Sequence, residues 1–149
     1  MQRGPSRRFV FNLAPTLAKD HSLVAGKQAP TLTEMSQYPA ILPGLNTYTG
    51  QIIKSLFDRH QLELRVSMAT NYLETIRMLA SVGLGWTILP RSMGDASLTQ
   101  VTVREVEIQR TLGLVYHRGR SLSRAARAFI EAVQAHGDPD LASPRPASP

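Results

Sequence analysis

Asp20 and His21 stand side by side, and an acid beside an imidazole is the pairing from which a general base is built. Neighbouring residues in an extended segment point to opposite sides, so adjacency alone gives this pair no orienting hydrogen bond. His60, His117 and His136 are isolated and read as surface or helix-end residues. The chain has no cysteine, which excludes a disulfide framework, a thiolate zinc site and a cysteine nucleophile. No Gly-x-Ser-x-Gly, His-Glu-x-x-His or phosphate-loop pattern occurs. Gly83-Leu84-Gly85 precedes an apolar strand, whereas a dinucleotide site needs its glycines after one. The expectation is therefore no catalytic residue, no metal site, no cofactor and no enzymatic activity.

Binding chemistry is better represented. Asn46, Thr47 and Thr49 follow Pro43-Gly44, and Asn71 precedes Tyr72, each group lying just before a stretch of helical periodicity. Free backbone amides at helix starts carry partial positive charge, and short polar side chains beside them suit a carboxylate or phosphate. The same residues also serve as ordinary N-caps. Tyr48 and Tyr72 open these helices and are candidate ligand contacts, while Trp86 opens a buried strand and reads as core. Aromatic residues are too few and scattered for a platform on which nucleic-acid bases stack.

The elements that position these residues follow from punctuation and period. Ala40-Ile41-Leu42, bounded by Pro39 and Pro43, reads as a short buried strand ending in a turn. Ile52, Ile53, Leu56 and Phe57 form one face of a helix capped by Asn46 or Thr47. Leu64 to Ala69 alternates as a strand, with Leu64, Val66 and Met68 on one side. A second helix opens at Asn71, whose side chain caps it while Glu74 closes a capping box, and Gly83 ends it. Gly85 to Pro90 supplies a third strand, and Leu98 to Val103 and Thr111 to His117 two more. A last helix, capped by Ser121, carries Leu122, Ala126, Phe129, Ile130 and Val133 on one face. Strand, helix, strand, helix, strand with short links predicts an α/β protein with a parallel sheet and flanking helices. In such a sheet the loops 43–48, 70–72 and 90–92 share the carboxyl edge, where ligands bind.

The chain has 149 residues, 42% of them hydrophobic and 19% charged, which bounds it to one soluble globular domain. Its net charge of +6 and pI near 10.3 invite a nucleic-acid reading. Arg3, Arg7 and Arg8, however, precede the patterned region, and the charge reads as a solvated basic surface. No apolar run reaches the roughly 18 to 20 residues of a membrane span.

The run Tyr38 to Gly44 through Thr47, then Asn71-Tyr72-Leu73-Glu74-Thr75-Ile76, then Ser81 to Arg91 resembles the effector-binding domain of LysR-type transcriptional regulators. Lys19-Asp20-His21-Ser22-Leu23 is similar to the family's Asp-His-Pro-Leu element with Ser in place of Pro, and Leu32-Thr33-Glu34-Met35 to the short helix after it. The resemblance implies a periplasmic-binding-protein-like fold whose second subdomain, about residues 22–91, is complete. The partial first subdomain is entered again over about 92–136. Residues 17–136 carry the match, 1–16 read as an irregular start because Asn12 and Pro15 interrupt a strand, and 137–149 as a disordered tail. By the same resemblance Pro43, Gly44, Asn46, Thr47, Tyr48, Thr49, Asn71, Tyr72 and Pro90 line the effector cleft. The helix 47–60 and the strand 64–69 give one half of an antiparallel dimer contact.

The family's winged helix-turn-helix has no counterpart in these residues. The expected function is thus that of a sensor fragment that takes a small anionic effector in the cytoplasm, pairs with a copy of itself or with a full-length regulator, meets DNA only through a domain outside this chain, and touches no membrane. Two alternatives share the fold: a free-standing solute-binding module, and an interaction subunit that docks on intact regulators.

Overall fold

A computed structural model describes residues 7–25, 29–104, 106, 108–114, 116, 119 and 121–136. The chain divides into two compact units, Asn12–Ile108 and the pair of ends Met1–Phe11 and Gln109–Pro149.

Strand β1 (Arg7–Ala18) runs through the segment expected to be irregular up to residue 16, and that expectation is corrected. Pro15 is tolerated because its carbonyl accepts the Val101 N–H at 2.9 Å. A residue's N–H and C=O share one edge of a strand, so the missing donor of Pro15 faces a point beyond the last ladder pair, Thr16 with Gln100. Asn12 likewise lies just past the last pair on the other edge, Leu13 with Pro90.

Helix α1 (Ser22–Ala25) and helix α2 (Leu32–Ser36) follow. A capping box forms at α2: Thr31 Oγ1 accepts the Glu34 N–H at 3.2 Å, and a Glu34 carboxylate oxygen accepts the Thr31 N–H at 2.7 Å. Strand β2 (Ala40–Leu42) is buried throughout. Helix α3 (Tyr48–Arg59) turns Ile53, Leu56 and Phe57 inward, as its periodicity predicts. Strand β3 (Val66–Ala69) pairs parallel with β2, Ile41 opposite Met68 and Leu42 opposite Ala69. Leu64 and Val66 pack on the core, but Met68 stays 46% exposed.

Helix α4 (Leu73–Ser81) buries Ile76 and Ala80 and ends at Gly83, whose φ of +82° suits a residue without a Cβ. Strand β4 (Thr87–Pro90) is joined to β2 by a parallel bridge from Ala40 to Trp86. It is antiparallel to β1, as is β5 (Leu98–Gln100). The sheet is therefore mixed. Only β2, β3 and the start of β4 give the expected parallel arrangement, because β1 enters between β4 and β5 from the opposite direction.

The core lies on both faces of these strands. On one, Phe57 stacks on Trp86 with ring centroids 5.7 Å apart, among Leu13, Leu17, Met35, Leu42 and Ile53. The indole Nε1–H donates to the Met35 carbonyl at 3.0 Å, so this large ring is buried with its polar atom satisfied. On the other, Ile41, Leu89 and Leu98 meet Ile76 and Ala80 of α4.

In the unit of the chain ends, β6 (Ile108–Leu114) pairs with β1, and α5 (Arg124–His136) follows. Ser123, not Ser121, caps α5, its hydroxyl accepting the Ala126 N–H at 3.1 Å. His117, within the strand expected over 111–117, and the tail 137–149 lie outside the described residues.

Candidate functional site

Parallel pairing of β2 with β3, and of Ala40 with Trp86 at the start of β4, brings the carboxyl ends of three strands to one edge. There stand Pro43 and Gly44 after β2, Asn71 and Tyr72 after β3, and Pro90 closing β4. A crosslink joins the first two loops: Asn71 Oδ1 accepts the Gly44 N–H at 3.1 Å. Thr70 N–H donates to the Leu42 carbonyl at 3.1 Å, so the loop after β3 is registered on the strand end beside it.

The loop after β2 is held as tightly from within. Thr47 Oγ1 donates to the Gly44 carbonyl at 2.7 Å and accepts the Gly50 N–H at 3.1 Å as N-cap of α3. Gln51 reaches back to the Leu45 carbonyl. Gly50 permits this packing: a Cβ there would sit 2.2 Å from the Gly44 oxygen and 2.8 Å from Leu45 Cα.

These bonds sort the predicted site residues into two groups. Pro43 is buried, and Gly44, Thr47 and Asn71 are consumed in the frame. Asn46, Tyr48 and Tyr72 are exposed, the tyrosines at 61% and 77%, and none of their side chains forms a hydrogen bond among the described residues. The Thr49 side chain is nearly buried, and its hydroxyl likewise makes no hydrogen bond among them. Asn71 does not cap α4; Tyr72 occupies the cap position with no side-chain bond, because the Asn71 oxygen has turned to Gly44. The amides of the first turn of α4 are thereby left to solvent or ligand. What the edge can do chemically is offer backbone N–H donors, an amide, a hydroxyl and two phenols to an acceptor-rich ligand.

Among the described residues no cluster of three His, Asp or Glu has metal-ligand geometry, and no helix is long and apolar enough to cross a membrane. Asp20 and His21 form no base: His21 Nδ1 accepts the Leu23 N–H at 3.2 Å, and its ring packs on Tyr38.

The family described as LysR substrate binding domain matches residues 9–138. This chain belongs to that family. The match begins inside β1, eight residues earlier than the motifs at 17–136. The chain is 27% identical over 130 residues to an uncharacterized HTH-type transcriptional regulator, YybE of Bacillus subtilis, covering 86% of this chain and 42% of that relative. It thus spans less than half the length of that relative.

Among solved structures, the regulatory domain of Synechocystis PCC6803 CcmR in complex with 2-PG superposes with a TM-score of 0.74 at 24% identity, over 90% of this chain and 68% of that one. The effector-binding domain of QuiR in complex with shikimate gives 0.69 at 21% identity, over 87% and 62%. At such identities the likeness establishes the fold, the periplasmic-binding-protein-like α/β fold of LysR regulatory domains. The family is one of regulator domains and not of enzymes.

Sequence reasoning missed three participants: Gly50, Gln51 and the crosslinking role of Asn71. A glycine in the first turn of an apolar-faced helix was the available signal for the first; the Asn71 partner lies 27 residues away and left none.

Proposed function

We propose that the chain senses a small anionic effector along the carboxyl edge of β2, β3 and β4, as the ligand-binding part of a LysR-type regulatory system. The observation that carries this reading is the Asn71 to Gly44 hydrogen bond, which joins two loops into one rim and leaves the start of α4 without a side-chain cap. Asn46, Tyr48, Thr49 and Tyr72 contact the ligand, Pro90 bounds it, and Pro43, Gly44, Thr47 and Asn71 hold the frame. The rim has no acid/base pair, so the ligand is bound and not transformed. That CcmR was solved with 2-PG and QuiR with shikimate supports a small-molecule effector. In this reading the chain acts in the cytoplasm as a homo-oligomer or with a full-length regulator, through α3 and β3, and DNA is met by a separate domain.

Thermal unfolding of the 149-residue chain against a panel of small carboxylates and phosphate esters tests it. A ligand at 100 times its Kd adds about 2.7 kcal/mol to the folded state, enough for a clear rise in Tm. Thr49→Val and Asn46→Ala are expected to abolish that rise. A rise that survives both changes, or no rise with any compound, refutes the reading.

A further inference from the structure

We propose a second ligand site, adjoining the rim at Arg91 but lined by other residues, that takes a small carboxylate with a compact apolar body. An open groove of about 400 Å³ lies beside β1 and the chain that leaves β5. Its floor is apolar. Leu13, Val103 and Ile108 belong to the core, and Val101 and Val106 are half-buried against the same cluster. Its polar lip is formed by Arg91, Asn12 and Thr102, all exposed. Among the described residues none of these three side chains forms a hydrogen bond or ion pair.

The backbone beneath the lip is fixed, while the guanidinium makes no hydrogen bond or ion pair among the described residues. Gln100 Nε2 donates to the Pro90 and Arg91 carbonyls at 3.3 and 3.2 Å, and Gly94 N–H donates to the Arg91 carbonyl at 3.3 Å. The opposite wall is set by the Val101 N–H to Pro15 carbonyl bond. A planar five-donor fork without a partner among the described residues, in one groove lining with an amide, a hydroxyl and aliphatic side chains, fits a carboxylate whose apolar end lies on the valines. The volume is at the small end of ligand cavities, roughly 300 to 1,000 Å³, which limits the body to a few carbons. The groove adjoins the rim at Arg91, which follows Pro90 in the loop 90–92, but is lined by none of the residues assigned to the effector above, and it does not depend on the rim reading.

The test is an amide-resolved NMR titration of the full chain with hexanoate, and with hexanamide as its uncharged counterpart. Saturable shifts at Arg91, Val101, Val103 and Val106 are expected, with hexanamide binding about tenfold more weakly. Arg91→Gln is expected to bring hexanoate down to the affinity of hexanamide with Tm unchanged, since the exposed side chain makes no hydrogen bond or ion pair among the described residues. Equal binding of the two compounds, an unaffected Arg91→Gln variant, or no saturable shift overturns the proposal. Shifts confined to Gly44, Asn71 and their neighbours overturn it too, while leaving the rim reading standing.

Discussion

Asn71 Oδ1 accepts the backbone N–H of Gly44 at 3.1 Å across 27 residues of sequence, and this one bond makes a single rim of the loops after β2 and β3. Asn71→Ala is expected to lower stability by about 0.5 to 1.5 kcal/mol, the usual net contribution of such a bond. A urea midpoint measures the loss. Faster hydrogen exchange at the Gly44 amide assigns it to this contact, and an unchanged exchange rate contradicts the role.

Two glycines differ in the reason no side chain is tolerated. Gly50→Ala drives a Cβ onto the Gly44 carbonyl, an overpacking expected to cost about 1 to 3 kcal/mol and to weaken any rim ligand. Gly83→Ala meets nothing within 4 Å, but its φ of +82° is strained for an L residue, at about 1 to 2 kcal/mol. Denaturation curves for both variants should show the two losses, with rim binding altered only by Gly50→Ala.

The stacked pair of Phe57 and Trp86 is the centre of the larger core. Phe57→Ala is expected to cost about 3 to 5 kcal/mol through lost burial and the cavity left behind. Trp86→Phe removes the indole donor shared by the Met35 and Tyr38 carbonyls, at about 0.5 to 1.5 kcal/mol because the Met35 carbonyl keeps the Tyr38 N–H at 3.1 Å. Calorimetry of the two variants checks the order of these losses.

His21 gives the fold a pH dependence. Burial lowers its pKa from the ordinary 6.5, against the opposing pull of the Asp20 charge. The unfolded chain therefore takes up this proton first as pH falls. Stability is full above 6.5 and declines as pH drops through that value toward the lower folded one. Urea midpoints at about pH 7.5 and about pH 5.5 should differ for the native chain, and His21→Gln should narrow the difference.

Glu34 acts on the acid side. The Thr31 backbone N–H and hydroxyl hold its carboxyl below the ordinary 4.5, so the capping box of α2 stabilises fully above that pH and fails as pH falls through the folded value. Thr31→Ala is expected to shift the acid unfolding midpoint upward in a circular-dichroism titration.

Signals confined to a turn or two of chain were legible from the residues alone. The inward face of α3, the stop at Gly83, the buried run Ala40 to Leu42 and the burial of Trp86 all follow from period and punctuation, since each is a choice a short segment makes with its own atoms. The rim came from the same logic, because parallel strands must share a carboxyl edge. What needed partners far along the chain had no local mark. Pro15 reads as a strand breaker until β5 is known to end where its missing donor points. Asn71 reads as a cap until Gly44 arrives to take its oxygen, and Met68 shares a side of its strand with Leu64 and Val66 yet is left 46% exposed while they pack on the core. A hydrogen bond or a burial between distant segments is settled by which surfaces the packed sheet brings together, and that is a property of the tertiary structure alone.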